Sequence, residues 1–246
     1  MTTESNSTTE SRLVSVELDG TVGRLRLHRP AKRNALTAQM RQDLTIFLGQ
    51  LASDDRVKVV TLMGDGGYFC SGYDRHELHA AAPGELRSAI TADSAALHRA
   101  VAHFPKPLIA GIDGYALGAG FDIAMMCDIR IATERAQFGH VEVPEGGIAL
   151  YTPMLRAVGA TWARELCLTG RRIDSATANR IGVVSEVVSP EDLAEAVDRE
   201  AQLVSRAALR TLMYTKSLFS TRDQTEEWLI REHDEAFNSG FLIGHV

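Results

Sequence analysis

The stretch Leu108-Ile109-Ala110-Gly111-Ile112-Asp113-Gly114-Tyr115-Ala116-Leu117-Gly118-Ala119-Gly120-Phe121-Asp122 decides the fold of this chain. Its opening apolar run, Pro107–Ile112, reads as a strand. Glycines follow at 114, 118 and 120, and then a helix of about Ala119–Cys127. The same order occurs upstream. There the apolar run Val57–Met63, of the kind buried on both faces of a sheet, leads into Gly64, Gly66, Gly67 and Gly72 and a short helical stretch from about Asp74. Strand–glycine–helix units in series imply an α/β core with largely parallel strands and right-handed crossovers.

Outward from these units the pattern continues. Leu13–Leu18 and Val22–His28 alternate around Asp19-Gly20 and predict a β-hairpin that Pro30 ends. Thr37 is placed to cap a helix with the stripe Met40, Leu44, Phe47, Leu48 and Leu51. Pro83 suits the first position of a helix running to about His103, with Leu86, Ile90, Leu97 and Val101 on one side. Asp128–Ala132 and Gln137–Val143 are further strands. From Tyr151 helices dominate: Thr152–Val158, Thr161–Leu168, Ser175–Ile181, Pro190–Ala207 and Ala208–Asn238 with a break. One strand, Val183–Val188, interrupts them. Trp228, Leu229 and Phe237 are free to pack on the core or on a neighbouring subunit.

The composition excludes several function classes. The chain has 246 residues, 45% of them apolar and 24% charged, and a net charge of −6. An acidic chain is a poor partner for nucleic acid, which needs a basic face. Its three cysteines, Cys70, Cys127 and Cys167, show no metal-ligand or disulfide spacing. No apolar run reaches the ~20 residues of a membrane span. Residues 1–11 are Ser/Thr-rich without an apolar or basic leader pattern, and read as a disordered tail. These features describe a cytoplasmic protein with a small-molecule or protein partner.

Two adjacent glycine turns beyond the carboxyl ends of parallel strands lie where ligands collect. Each leads into a helix start, where N–H groups lack acceptors. Two such turns can aim two N–H groups at one oxygen, as an oxyanion hole does. They can equally be backbone solutions with no chemical role. Neither is a P-loop or a G-x-G-x-x-G fingerprint. Asp122 lies in a helix's first turn, amid small and apolar neighbours. It is either a dipole-matched cap or an acid in a partly dry site. Glu142 alternates with apolar residues at a strand end, either facing solvent or facing a site. Glu145 reads as a loop residue. Two carboxylates in one closed pocket have their pKa values pushed apart. Ser71 lacks the nucleophile elbow. His28, His76, His79, His98 and His103 read as surface residues, and Cys70 and Cys127 as packed.

Taken together, the motifs resemble the crotonase (enoyl-CoA hydratase/isomerase) superfamily from about Leu13 to Phe219. They are Arg29-Pro30-Ala31-Lys32-Arg33-Asn34-Ala35-Leu36, Phe69-Cys70-Ser71-Gly72-Tyr73-Asp74, Pro105 through Asp128, Ala136-Gln137-Phe138-Gly139 and Leu168-Thr169-Gly170-Arg171. The resemblance implies an α/β spiral of ββα units over residues 12–190 that carries the site. It implies a C-terminal helical trimerisation region over 191–246 and assembly as a homotrimer or homohexamer. The substrate it implies is an acyl-CoA thioester, with no metal and no cofactor beyond that coenzyme A. Tyr73 and Ala119 match the backbone donors to the thioester oxygen. Glu142 matches the second of the family's two glutamates, and Asp122 the first, one methylene shorter. Lys32, Arg33, Ser71, Gly72 and Gly118 match positions that approach the substrate or CoA. The implied activity is hydration of an enoyl-CoA 2,3-double bond. The alternatives are a Δ3–Δ2 enoyl-CoA isomerase, another acyl-CoA hydrolase or decarboxylase, or a non-catalytic CoA-ester-binding or scaffolding member.

Overall fold

Strands β4 (Val59–Gly64) and β5 (Leu108–Ile112) are buried along almost their whole length because the sheet that holds them is covered on both faces. Val60 and Leu62 of β4, with Leu108, Ala110 and Ile112 of β5, pack into the main core. The alternate residues Val59, Met63 and Ile109 pack on the other face, against Leu193, Ala196, Val197 and Ala201 of helix α7 (Leu193–Ser205). A side chain at Gly111 would meet Val197 at 2.7 Å, so the glycine lets α7 lie directly on the strand.

The computed structural model describes residues 8–10, 13–80 and 85–220. The remaining elements in chain order are β1 (Thr8–Glu10), β2 (Val14–Asp19), β3 (Val22–Leu27), α1 (Ala38–Ser53), α2 (Arg75–Ala80), α3 (Glu85–Ala102), β6 (Tyr115–Leu117), α4 (Ala119–Met126), β7 (Ile129–Thr133), β8 (Gln137–Gly139), α5 (Tyr151–Thr169), β9 (Ile173–Asp174), α6 (Ser175–Ile181), β10 (Glu186–Val188) and α8 (Leu209–Ser220). The main sheet runs β1-β2-β3-β4-β5-β7-β10. It is antiparallel from β1 to β3 and parallel from β3 to β10. A second sheet, β6-β8-β9, stands beside it. This is an α/β fold with a mixed sheet.

Several elements match the sequence reading. The hairpin β2–β3 pairs Asp19 with Val22. Thr37 caps α1 by accepting the Met40 N–H. The two helices read across 152–168 form one element, broken at Gly159, where φ is 72° and ψ 169°.

Other readings need correction. The tail, expected to be disordered, carries β1, because Thr8–Glu10 pairs with Ser15–Glu17. The strand expected over Gln137–Val143 stops at Gly139, and a 3-10 turn over Val143–Glu145 takes its place. Pro144 within that turn has no N–H to give to a ladder. The strand at Val183–Val188 narrows to β10, and α7 begins at Leu193 rather than Pro190. Strands β6 and β9 were not foreseen. The expected helix start at Pro83 lies outside the described residues. So do the helix beyond 220 and the side chains of Trp228, Leu229 and Phe237.

A buried lysine joins the first helix to the strand that leads into the site. Lys106 is 1% exposed, and its ammonium donates to the Leu51 and Asp54 carbonyls at the end of α1, at 2.8 and 2.7 Å. Burial pulls its pKa below the ordinary lysine value, while Asp54 and Asp55 oppose that shift. The next residues feed β5, and Asp128 accepts both the Leu108 N–H and the Lys216 ammonium of α8 at 2.7 Å. Replacing Lys106 by Met strands two helix-end carbonyls. Lys106→Met is therefore expected to lower the unfolding free energy by roughly 1.5–3 kcal/mol in urea titration. An unchanged midpoint would contradict this account of the α1–β5 junction.

Candidate active site

Both glycine turns end against each other. After β4, the Phe69 N–H donates to Asp113 O at 2.7 Å and the Cys70 N–H to Tyr115 O at 2.7 Å. The Leu117 N–H returns a bond to Cys70 O at 3.0 Å, so the first turn runs alongside β6 as a short extra strand. Beyond it, Gly72 at φ 94° redirects the chain. The Leu36 N–H donates to Gly72 O at 2.8 Å and the Asp74 N–H to Leu36 O at 3.0 Å. In this parallel bridge the N–H of the intervening Tyr73 is directed away from Leu36. A Cβ at Gly72 would lie 2.9 Å from Leu117 O and 3.5 Å from Ala119 N.

In the second turn, Gly118 has φ 52° and stands at the N-cap of α4. Its N–H donates to Gly139 O at 2.9 Å, and its carbonyl accepts the Phe121 and Asp122 N–H groups at 2.8 and 3.0 Å. Ala119 is the first helical residue, and its N–H has no acceptor within the helix. Gly120 sits where a Cβ would meet Cys70 O at 2.4 Å. Glycine there brings α4 onto the first turn. The two turns therefore meet where Gly72, one residue before Tyr73, approaches the Ala119 amide.

The loop before α1 is fastened to the same place. Asn34 is fully buried; its amide donates to Asp65 O at 3.0 Å and Tyr68 O at 2.7 Å, and its oxygen accepts the Arg29 N–H at 2.8 Å. Arg29 pairs with Asp74 at 2.6 Å. That guanidinium and the His76 and Glu77 N–H groups hold the Asp74 carboxyl below its usual pKa, against the opposing effect of burial. Ser71 donates its N–H to Arg33 O at 3.0 Å and its hydroxyl to Lys32 O at 3.4 Å. Lys32 and Arg33 are exposed here, with Arg33 stacked on the Tyr115 ring at 5.4 Å. Five positions expected near the substrate or CoA thus fall in one neighbourhood: Lys32, Arg33, Ser71, Gly72 and Gly118.

Opposite the turns, two carboxylates meet on one imidazole. His140 Nδ1 lies 3.2 Å from Glu142 Oε1 and 3.7 Å from Asp122 Oδ1. The His140 side chain has 0% exposure and tilts against the Phe121 ring, 5.0 Å between centroids. Glu142 Oε2 is buried, makes no hydrogen bond, and would lie 3.1 Å from a Cβ at Gly118. The Glu142 side chain therefore faces the second turn. Its position comes from the 3-10 turn and not from strand alternation. The Glu145 and Gly147 N–H groups both donate to Glu142 O, at 3.0 and 2.8 Å, and Gly147 has no Cβ to strike Glu142 Cβ at 2.7 Å. Asp122 projects from the first turn of α4, with His98 Nε2 of α3 4.0 Å from its Oδ2. Glu145, by contrast, lies in the open and pairs with Arg75 at 2.9 Å.

Burial disfavours a charged His140. The Cys167 thiol and the Glu142 carboxylate hydrogen-bond to it, and the Asp122 and Glu142 charges add to this. The partners prevail and raise its pKa to about 10. Burial pushes the Tyr73 phenol above its ordinary range although its hydroxyl bonds Ser94. It also pushes the Cys70 and Cys127 thiols to about 12, as suits packed cysteines.

Sequence reading missed three of these neighbours. His98, expected at the surface, is 3% exposed. Ser94, His98 and Val101 share the inward side of α3, a spacing present in the sequence. His140 follows directly on β8, two residues before Glu142. Arg41 is buried in α1 with its guanidinium 5.6 Å from the Tyr73 ring centroid.

Comparison with known proteins identifies the family. Residues 17–241 match the family model described as enoyl-CoA hydratase/isomerase. A probable enoyl-CoA hydratase of Rhizobium meliloti (strain 1021) is 35% identical over 237 residues, covering 86% of this chain and 91% of that protein. The 2,3-dehydroadipyl-CoA hydratase of Escherichia coli (strain K12) is 32% identical, covering 82% of this chain and 78% of its own. A crystal structure of an enoyl-CoA hydratase from Bacillus anthracis superposes with a TM-score of 0.81 at 28% identity, covering 92% of this chain and 90% of that one. The chain belongs to the enoyl-CoA hydratase/isomerase family of the crotonase superfamily.

His140 also makes stability depend on pH. Its folded-state pKa of about 10 lies above the ordinary histidine value of about 6.5. Its contribution is therefore complete below about pH 6.5 and is lost as pH rises through about 10. The urea midpoint is expected to fall across that window in the wild-type chain, and this component to vanish in His140→Phe. Parallel profiles for the two proteins would contradict it.

Proposed function

We propose that this protein is an enoyl-CoA hydratase that adds water across the 2,3-double bond of an acyl-CoA thioester. The thioester oxygen is received by the Tyr73 and Ala119 amides. Donors of this kind contribute about 3–4 kcal/mol each, because they meet charge that grows in the transition state. The water oxygen bonds to C3 while Glu142 Oε2 takes a proton from it. The C2=C3 pair moves towards the carbonyl, giving an enolate held by the two amides. Glu142 then returns the proton to C2, and the carboxylate is regenerated. Asp122, which approaches the same ring nitrogen of His140 as Glu142 does, orients the water. Lys32 and Arg33, exposed beside Ser71, receive CoA phosphates.

One observation carries this reading: Glu142 Oε2 lies over Gly118, where Gly72 of the first turn comes close to Gly118 and Ala119 of the second. That both carboxylates lie against one imidazole favours two-acid hydratase chemistry over an isomerase working with a single acid. A homotrimer or homohexamer built through residues 191–246 belongs to the same proposal. Support comes from α8, which exposes Met213, Tyr214, Leu218 and Phe219.

Purified protein is expected to hydrate crotonyl-CoA or a bulkier enoyl-CoA. Glu142→Gln should lower kcat by roughly 10³-fold while melting as the wild type does, and Asp122→Asn should also lose most activity. Turnover in Glu142→Gln at the wild-type rate would remove Glu142 from the mechanism. Retention of activity by Asp122→Asn would favour isomerase chemistry.

A further inference from the structure

We propose that His140 is a positioning residue of this reaction: a buried imidazolium that holds one oxygen of Glu142 so that the other is aimed at the substrate. The inference rests on Glu142 being the proton carrier, as proposed above, and deepens that reading.

Geometry separates the two oxygens of Glu142. Oε1 is 3.2 Å from His140 Nδ1 and so is committed to the ring. Oε2 is buried without a hydrogen-bond partner and points at the Gly118 turn. A carboxylate held at one oxygen cannot swing freely, so its second oxygen is presented in one direction. A misplacement of about 1 Å in such a group costs on the order of 10²-fold in rate.

The charge on the ring follows from what surrounds it. Asp122 faces it from α4, Glu142 from the 3-10 turn and Cys167 from α5, with His98 of α3 beyond Asp122. Two carboxylates drawn into a buried site repel each other and resist desolvation unless a cation lies between them. His140 is the group that meets both carboxylates, at 3.2 and 3.7 Å, whereas His98 approaches Asp122 at 4.0 Å. When Glu142 takes up the water proton, the remaining pair, Asp122 and His140, is electrically balanced. The cluster therefore holds the added proton without leaving an unpaired buried charge. The Phe121 ring packs against the imidazole, 5.0 Å between centroids.

The test combines kinetics on the full-length chain with an imidazole signal. His140→Phe keeps the ring volume and removes both donor and charge; it should lower kcat about 10²-fold with KM within about threefold. His140→Asn restores a donor near Nδ1 and should regain about tenfold of the loss. Nitrogen NMR of the wild-type chain labelled with ¹⁵N-histidine needs no variant to fold. One imidazole should stay protonated at about pH 8.5, where ordinary histidines are neutral, and should lose that state in Glu142→Gln. No hydration of any enoyl-CoA by the wild type defeats the hydratase reading, and the step assigned to His140 with it. Hydration with His140→Phe at the wild-type kcat, or with every imidazole neutral at about pH 8.5, overturns the His140 proposal alone.

Discussion

Two backbone hydrogen bonds hold the site together: Cys70 N–H to Tyr115 O and Leu117 N–H to Cys70 O. They clamp the turn that follows β4 to the strand that precedes α4, although the two lie far apart in sequence. Everything chemical is built on that clamp. Gly120 must have no side chain because α4 starts against Cys70. Gly72 must adopt a positive φ because the chain has to leave β6 and pair with Leu36 within a few residues. In the proposed site the Tyr73 and Ala119 amides depend on main-chain bonds and steric exclusion and on no side chain. Preorganisation of that kind costs nothing at the moment of reaction.

The acid side of the site is built differently. Glu142 caps a 3-10 turn and Asp122 lies in the first turn of a helix, and both approach the same ring nitrogen of His140. Their burial is tolerated because opposite charges are drawn in together. The helix start of α4 assists Asp122, since its first-turn amides present partial positive charge. One element therefore serves two purposes: Ala119 offers an amide to the junction, and three residues later Asp122 faces the imidazole. A shift of α4 would disturb donor and acid together.

Much of this was legible in the sequence, for identifiable reasons. The apolar runs of β4 and β5 stand out because α7 and the main core cover both faces of the sheet. Thr37 and the stripe of α1 announce a capped amphipathic helix, and Gly159 breaks α5 between the two helices read at Thr152–Val158 and Thr161–Leu168. Strands β6 and β9 were hidden because they have three and two residues, and their pairing with β8 depends on remote chain. Alternation misled at Glu142: Val141 and Val143 mimic a strand, but Pro144 and Gly147 turn the backbone. His98 was read as exposed because an isolated histidine carries no sign of what its helix packs against. The convergence of Asp122 and Glu142 required both elements to be in place. Residue spacing cannot encode a meeting across 20 positions when a third residue, His140, mediates it.

The central claim is that the paired amides polarise one thioester oxygen. The most direct measurement is the infrared carbonyl stretch of an enoyl-CoA labelled with ¹³C at C1, bound to Glu142→Gln so that it persists. The account predicts a band moved to lower frequency than that of the same thioester in water, because two N–H donors weaken the C=O bond. A bound carbonyl absorbing at the frequency of the free compound would contradict it.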